Sequence, residues 1–333
     1  MTNPSSPHNS QYFDNTRLTS FMACPRSYFF RHVKHWDRVS KPIFFTFGSA
    51  WHSGMDVIWL AAKTHSQADL LEMACIAFKQ IWSSEVEEDY IPDIKEIRTP
   101  GLAREMFLNY LNMRYEQLKT YTVTKEGVEV PFMVPIIESS DIFYIGRIDK
   151  VFSERNDIVF AEHKTTTSYK KDGGFQASFV ESFSPNNQVD GYIYHGKVAY
   201  GDKFKGVNID AALVHKSARW FKTIPISRLE QISEGWVWET QYWISEIIDN
   251  LQFYNDLVAS GDEPLYMPAF PKKTASCMSY QGYTKCTYHA ICRFQSENPT
   301  FMECPDNFQV LPWEPFKIIM KEEEDENVES NND

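Results

Sequence analysis

Several features that would assign a protein to a compartment or to a repeat architecture are missing from this sequence of 333 residues. No apolar run is long enough to cross a bilayer, so we expect no membrane contact. The N-terminal segment is polar and lacks the apolar stretch of a secretory signal. No segment is repeated along the chain, which argues against a solenoid or a propeller. These absences predict a cytoplasmic, non-repetitive protein.

Net positive charge is missing as well. The formal net charge is −12, which at first argues against binding to nucleic acid, because phosphate contacts need Lys and Arg. Half of this charge lies in the tail 321–333, which has seven acidic residues and one lysine. A metal site built from carboxylates adds negative charge that the bound cation offsets. Net charge therefore leaves nucleic-acid binding open.

The chain has ample material for a packed core. Hydrophobic residues make up 43% of it and aromatic residues 15%. Helical periodicity dominates from about 42 to 120, and β-branched and aromatic segments typical of strands dominate from about 122 to 225. A long helix and a segment rich in Cys and Pro follow, from about 228 to 313. This succession predicts an α/β fold with a helical N-terminal insertion and a cysteine-rich C-terminal cap.

The length fits one large domain rather than several. We place this domain at residues 16–313. It is preceded by a disordered N-terminus, residues 1–15, and followed by an acidic disordered tail, residues 314–333.

Three charged residues fall on two consecutive predicted strands. A turn centred on residues 155–156 places Asp149 opposite Glu162, and strand alternation puts Lys164 on the same face. Two carboxylates so close repel each other unless a cation lies between them. The pattern favours metal-assisted hydrolysis of a phosphodiester, with Mg²⁺ or Mn²⁺ on the carboxylates and a lysine near the water or phosphate. An ordinary charged sheet face is the alternative.

Three other residues are weaker candidates when taken alone. His52 lies on a predicted helix, and a single histidine on an apolar face is more often packed in a core than bound to a metal. Gln188 and Tyr192 are four residues apart and share one helical face. That face either binds a nucleotide or packs against the rest of the domain.

Three of the six cysteines form a C-x8-C-x5-C run at Cys277, Cys286 and Cys292. In a reducing compartment such a cluster indicates metal or redox chemistry rather than disulfides. Three thiolates need a fourth partner, for which we choose Cys24. The four would hold a [4Fe–4S] cluster that ties the two ends of the domain together.

Two alternatives to this cysteine assignment remain. The three thiols together with His289 form a chemically reasonable zinc site. Cys304 has no assigned role and is an alternative to Cys24 as the fourth ligand. The sixth cysteine, Cys75, lies in a predicted helix and is expected to be a core residue.

Taken in order, these motifs resemble the PD-(D/E)XK nuclease superfamily, and within it the RecB-like exonucleases that carry an iron–sulfur cluster. That group includes AddB-like, CRISPR-adaptation and phage nucleases. Each motif is weak alone, and their order from about Leu18 to Cys292 makes the resemblance specific. The motifs are LTSFMACPRSYFF, FGSAWH, GRID, EHKTT, QVDGY and FPKKTASC. A departure is the C-x8-C spacing, which is longer than the C-x2-C of several relatives.

The resemblance implies a restriction-endonuclease-like core, in which helices flank a mixed central sheet. It implies that His52, Asp149, Glu162 and the backbone carbonyl of His163 hold the metal ion, and that Lys164 is catalytic. Other residues with implied roles are Cys24 as the fourth cluster ligand, and Gln188 and Tyr192 along the DNA path.

The function implied is that of a metal-dependent DNA exonuclease acting at DNA ends, with a preference for single strands, in recombination, repair or replication. No G-x4-GK[ST] loop is present, so a helicase or recombination protein that works with it would be a separate chain. The alternative is an iron–sulfur DNA-binding or adaptor subunit with little nuclease activity of its own.

Overall fold

The computed structural model describes residues 12–86, 96–137, 141–262, 264–279, 285–294 and 298–319. Two predicted disordered segments therefore fall largely outside the described residues, namely residues 1–11 of the N-terminus and residues 320–333 of the acidic tail.

A mixed sheet of six strands forms the centre of the molecule. Its strands are β1 (Tyr12–Phe13), β3 (Val128–Pro135), β4 (Phe143–Glu154), β5 (Asp157–Thr166), β6 (Phe204–Leu213) and β7 (Phe221–Ile226), and a separate pair joins β2 (Trp36–Arg38) to β8 (Phe308–Val310). The order is β1-β4-β5-β6-β7, with β3 also paired to β4. The β1–β4 and β5–β6 pairs are parallel and the others antiparallel. The predicted α/β class with a mixed sheet is confirmed.

Helices cover both faces of this sheet. They are α1 (Asn15–Ala23), α2 (Pro25–Tyr28), α3 (Ile43–Ala61), α4 (Gln67–Glu85), α5 (Pro100–Leu118), α6 (Ala177–Glu181), α7 (Asn187–Tyr200), α8 (Glu230–Ser260), α9 (His289–Phe294) and α10 (Phe316–Ile319). One apolar core joins α3, α4 and α5 to the first face. A second core joins α1, α2, α7 and α8 to the other face. The helical part predicted for the first half of the chain therefore lies on one side of the sheet.

The hairpin between β4 and β5 has the turn that the sequence predicts. Arg155 and Asn156 link the two strands and both have positive φ, 51° and 76°. Positive φ at both central residues is the type I′ geometry, whose twist matches that of the flanking strands. The turn sets the register, which pairs Lys150 with Ala161.

Strand β4 changes partner along its length. It pairs with β5 from Lys150 to Glu154, and with β3 from Phe143 to Lys150. Beyond Lys150, β4 and β5 separate, and the two residues of β1 pair with β4 at Phe143 and Tyr144. The sheet is thus split next to Asp149 and Glu162, and the split leaves backbone groups and side chains facing a gap.

Helix α7 begins at Asn187, directly after its capping residue Asn186. The Asn186 side chain accepts hydrogen bonds from the backbone N–H groups of Gln188 and Val189 and so caps the first turn. This cap brings Gln188 into the helix, where Tyr192 lies one turn further along. The helix packs on the sheet face that carries Glu162 and Lys164.

The segments predicted as disordered, residues 1–15 and 314–333, both include residues that belong to helices or strands. Structure begins by Tyr12, because β1 pairs with β4, and not at residue 16 as predicted. At the other end α10 lies within the segment predicted as a disordered tail. It is held by the Arg147 Nε, which donates to the Ile318 carbonyl at 3.3 Å. Both segments are too short to show periodicity in the sequence, and contacts with β4 stabilise them, by strand pairing for β1 and through Arg147 for α10.

The two ends of the described chain meet on one side of the sheet. The antiparallel pair β2–β8 joins Trp36 to Val310. The Tyr288 hydroxyl donates to the Trp36 carbonyl at 2.6 Å. In the part of the chain that is described, no helix combines the length and apolar character needed to span a bilayer.

Candidate active site

Asp149 lies at the point where β4 leaves β5. The register predicted from the hairpin extends to Lys150 and Ala161, one position short of Asp149 and Glu162. The backbone N–H of His163, which has no strand partner on this side, donates to Asp149 Oδ2 at 2.6 Å. The Asp149 carboxylate therefore replaces a missing ladder bond and is fixed against β5.

Glu162 and Lys164 lie on the face covered by α7, with Gln188 above them. Lys164 Nζ donates to Glu162 Oε1 at 2.5 Å and to Gln188 Oε1 at 3.1 Å. Gln188 Nε2 in turn donates to Glu162 Oε1 at 3.1 Å. Strand alternation predicts the shared face of Glu162 and Lys164, and the structure brings Gln188 into the same network.

Tyr192 connects this network to the split in the sheet. Gln188 Nε2 lies 2.9 Å from the Tyr192 hydroxyl, which itself donates to the Arg147 carbonyl at 2.7 Å. Arg147 belongs to the part of β4 that has separated from β5. One turn of α7 therefore bridges the two diverging strands. Tyr192 lies beside the split in the sheet and helps to hold β4 in its separated position.

His52 reaches the same centre from α3, on the opposite side. Its Nδ1 lies 3.4 Å from Asp149 Oδ2. One ligand atom each from His52, Glu129 and Asp149 lies within 4.8 Å of the other two. Such a set of one imidazole and two carboxylates matches the ligand preferences of Mn²⁺ and related divalent ions.

Glu129 is a site residue that the sequence reasoning misses. It occupies β3 at the position facing Asp149, between the pairs Val128–Lys150 and Val130–Ile148. Its φ of +48° is in the left-handed region, which costs a non-glycine residue on the order of 1 kcal/mol. The only signal in the sequence is an acidic residue within the otherwise apolar strand segment VEVPFMVPII.

The charges at this centre affect one another strongly. Burial opposes protonation of His52, but the neighbouring Asp149 carboxylate outweighs it and raises the pKa of His52 to about 9. Burial alone would raise the pKa of Asp149, yet His52, Lys150 and His163 hold that pKa well below its ordinary value. Asp149 is therefore ionised throughout the physiological range.

The other two carboxyl groups are harder to ionise. Burial, followed by the charges of Asp149 and Asp56, raises the pKa of Glu129 to about 7. Burial and then the Asp149 charge also raise the pKa of Glu162, although Lys164 opposes them. Repulsion among three adjacent carboxyl groups is the situation that a divalent cation relieves.

One buried oxygen supports the same conclusion. Glu162 is 2% exposed, and its Oε2 has no hydrogen-bond partner among the described residues. A buried polar atom without a partner costs free energy, whereas a metal ligand needs a free oxygen lone pair. The residues of the split therefore fit a divalent cation in both donor chemistry and charge.

A buried polar network supports β5 from the far face. His163 is completely buried, and its Nδ1 lies 3.2 Å from Asp210 Oδ2 on β6. The Tyr110 hydroxyl donates to the same Asp210 oxygen at 2.6 Å, and the Trp59 indole N–H donates to Tyr110 at 3.1 Å. Because His163 separates Glu162 from Lys164 in sequence, this network holds the strand that carries both.

The predicted cysteine site lies at a different place, where the chain ends meet. Cys24, Cys277, Cys286 and Cys292 all line one pocket, together with His289. Cys304, the alternative fourth ligand, is not among the residues that line it. Cys75, expected in the core, is half-buried on α4 and packs against the core of α3–α5.

Hydrogen bonds between the N-terminal and C-terminal segments hold the two halves of this pocket together. The Lys273 N–H lies 3.4 Å from Cys24 Sγ, and the Ser276 hydroxyl donates to the Ala23 carbonyl at 2.6 Å. The Cys286 N–H donates to the Cys277 carbonyl at 2.9 Å. N–H groups directed at thiolate sulfurs are among the contacts by which proteins tune iron–sulfur clusters.

Two thiols of this pocket, those of Cys286 and Cys292, are disfavoured as free anions. Burial raises the pKa of Cys286, and burial raises the pKa of Cys292 to about 11, against the opposing charge of Arg26. All six cysteines are free thiols. A bound metal supplies the positive charge that stabilises thiolates, so the donor set fits a metal ion or an iron–sulfur cluster.

Comparison with known protein families gives a match over most of the chain. No curated protein matches the chain. Residues 15–293, which include β3 to β7, the split beside Asp149 and all four cysteines of the pocket, match the model of the PD-(D/E)XK nuclease superfamily. The chain therefore belongs to the PD-(D/E)XK superfamily, whose members are nucleases that use divalent metal ions.

Proposed function

We propose that this protein is a Mg²⁺- or Mn²⁺-dependent DNA exonuclease of the RecB-like group. It hydrolyses phosphodiester bonds from DNA ends, prefers single strands, and acts in the cytoplasm in recombination, repair or replication. Family membership supports the nuclease activity. The order of the sequence motifs from Leu18 to Cys292 supports the RecB-like assignment.

The observation that carries the proposal is the arrangement of acids around the split in the sheet. Asp149 is held by the His163 N–H and by His52, while Glu162 presents an unpartnered buried oxygen next to it. In a strand, the N–H and the C=O of any one residue point to the same side. The His163 carbonyl therefore faces the gap as well, in agreement with its proposed role as a ligand.

In this assignment His52, Asp149, Glu162 and the His163 carbonyl hold the metal ion. When bound, the ion polarises the scissile phosphate and lowers the pKa of a coordinated water. Lys164 is held by Glu162 and Gln188, with about a third of its side chain exposed. From there its ammonium orients the attacking water and stabilises negative charge on the phosphate.

The ionisation state of Lys164 fits an electrostatic role. Burial lowers the pKa of Lys164, but the Glu162 and Asp149 carboxylates more than compensate and raise it. The lysine is therefore cationic at neutral pH. A positively charged group beside the phosphate is what a reaction that accumulates negative charge requires.

We assign the cysteine pocket to a [4Fe–4S] cluster held by Cys24, Cys277, Cys286 and Cys292. The four thiols share one pocket, and the Lys273 N–H is directed at one of them. Its role is structural, because it joins the N-terminal helices to the C-terminal segment. Zinc bound by the three C-terminal cysteines and His289 is the alternative, and His289 also lines the pocket.

The experiment that tests the function is cleavage of end-labelled single- and double-stranded DNA by anaerobically purified protein. Wild type and Glu162→Ala are compared in Mn²⁺ and in EDTA. Mn²⁺-dependent loss of single-stranded substrate, abolished by the substitution, is the expected result. Intact DNA with well-folded protein would refute the nuclease and support an adaptor subunit that works with a helicase or recombination partner.

The metal in the cysteine pocket is tested on the same preparation. Brown protein with about four iron and four sulfide per chain is the expected result for the cluster. Colourless protein with one zinc per chain would refute the cluster assignment and leave the nuclease assignment unaffected.

A further inference from the structure

A row of side chains extends from the catalytic lysine to the edge of the sheet. Lys164 on β5 is in register with Ala211 on β6, and Ala211 is in register with Lys222 on β7. Residues in register on adjacent strands project from the same face. Lys222 therefore lies on the catalytic face, two strands away, at a backbone distance of about 10 Å.

The next row adds an aromatic residue. Thr166 is in register with Leu213, whose N–H donates to the Trp220 carbonyl at 2.9 Å. Phe221 is buried against the helices of the opposite face, so its neighbours Trp220 and Lys222 both lie on the catalytic face. Trp220 is 46% exposed, and Lys222 is exposed.

The loop that follows β5 packs against Trp220. The segment 169–175 folds into a small hairpin, in which Lys170 exchanges backbone hydrogen bonds with Gly173 and Gly174 at 2.8 and 3.0 Å. Gly173 has φ +103°, and a Cβ there would lie 3.2 Å from the Trp220 ring. A side chain at this position would push against the indole, so glycine lets the loop backbone pack on one part of the ring.

These loops concentrate positive charge in an acidic protein. Segments 168–174 and 215–222 together contain five Lys or Arg and one Asp, while the whole chain has a net charge of −12. Lys170, Lys171, Lys216 and Lys222 are all exposed. An exposed tryptophan among lysines is the combination by which proteins bind single-stranded nucleic acid, with bases stacked on the ring and phosphates bound by the cations.

We propose that Trp220, Lys222, Lys170 and Lys171 form the surface that binds the single-stranded DNA next to the scissile phosphate. This proposal rests on the nuclease function and specifies its substrate. A stacked strand advances about 3.4 Å per nucleotide, so the surface lies roughly three nucleotides from Lys164. Phosphates contact the three lysines, and one unpaired base stacks on the exposed part of Trp220.

The test is binding of fluorescein-labelled oligo-dT and of a blunt duplex, measured by anisotropy in EDTA over a range of salt concentrations. Trp220→Leu is expected to weaken oligo-dT binding roughly 10-fold without changing its salt dependence or the duplex affinity. The triple variant Lys170→Ala, Lys171→Ala, Lys222→Ala is expected to reduce the slope of log Kd against log salt by about 2, at about 0.7 per lost phosphate contact.

Matched controls use the same substitutions elsewhere on the surface. Trp238 on α8 is 67% exposed, so Trp238→Leu controls for loss of an exposed indole. The exposed residues Lys63, Lys119 and Lys205 provide a control triple alanine variant. Effects no larger than those of the controls, or equal effects of Trp220→Leu on duplex and oligo-dT, would overturn the proposal.

The two proposals fail in distinguishable ways. A wild-type protein that binds oligo-dT but cleaves no DNA in Mn²⁺ would contradict the nuclease function, and the binding measurements would still decide this surface. A wild-type protein that cleaves DNA, with variants that bind as tightly as it does, would contradict this surface alone.

Discussion

The two candidate metal sites of this protein are built in different ways. The acidic site takes Glu129, Asp149 and Glu162 from three adjacent strands, β3, β4 and β5, so its frame is a hydrogen-bonded sheet. The cysteine pocket takes its thiols from short irregular segments at the two ends of the chain, joined by contacts such as that between Cys24 and Lys273, 249 residues apart. One site is held by the fold, and the other holds parts of the fold together.

Because of this difference, we expect substitutions at the two sites to have different consequences. Apolar cores on both faces of the sheet fix the acidic site, so removing one of its charged groups leaves the frame intact. The cysteine pocket joins helices α1 and α2 to the C-terminal segment, and metal binding at such a site contributes directly to folding free energy. Substitutions in the first region should therefore change catalysis, and substitutions in the second should change stability.

The largest effect is expected for Lys164→Ala. Loss of the ammonium beside the phosphate should reduce the single-turnover rate of cleavage by about 10³-fold, the range for removal of a preorganised electrostatic group. The melting temperature and the Kd for oligo-dT in EDTA should stay near those of wild type. The matched control is Lys197→Ala, whose lysine is on α7 and pairs with Glu230 instead. Unfolded or fully active Lys164→Ala protein would refute the assignment.

The next effect is expected at the cysteine pocket. Cys286→Ala removes a buried thiol from its lining and should lower the free energy of unfolding by about 4 kcal/mol, as for loss of a structural metal. Iron content should fall in parallel, as measured by colorimetric assay, with thermal unfolding followed by circular dichroism. Cys75→Ala on α4 is the control, because its thiol is half-buried away from the pocket. Equal melting temperatures for the two variants would contradict a structural cluster.

Much of the acidic site can be predicted from sequence because its determinants are local. The Arg155–Asn156 turn sets the hairpin register, and alternation along β5 then places Glu162 and Lys164 on one face. His52 is different. Its position depends on how α3 packs across the sheet, and only the resemblance to known nucleases indicates it.

The residues that sequence reasoning misses depend on long-range packing. Glu129 reaches the site because β3 is in register with β4 and because its backbone is left-handed, and neither property leaves a periodic signal. Asp210 lies in the apolar strand β6, and its partners Tyr110 and His163 come from distant segments. The strands β1, β2 and β8 have two or three residues each, too few to show alternation.

A smaller effect is expected for Glu129→Gln, which tests whether the cation site extends to β3. The substitution keeps the size of the side chain and removes its charge, so Mn²⁺ affinity should fall about 10-fold, the lower range for a perturbed metal centre. Isothermal titration calorimetry or Mn²⁺ paramagnetic resonance measures this without relying on activity. The control is Glu126→Gln, three residues earlier on the same segment and exposed. Unchanged affinity in Glu129→Gln would confine the site to the residues of the sequence motifs.

The smallest effect is expected for Tyr110→Phe, in the network behind β5. The substitution removes the donor to Asp210 and the acceptor of the Trp59 N–H, so the buried Trp59 N–H loses this partner and Asp210 keeps only its contact with His163 in this network. A loss of about 2 kcal/mol in the free energy of unfolding is expected, with a cleavage rate within about 3-fold of wild type, because the sheet still holds Glu162 and Lys164. Urea unfolding and single-turnover cleavage measure the two quantities on one preparation. A rate loss as large as that of Lys164→Ala would show that this buried network, rather than the strand pairing, positions the catalytic strand.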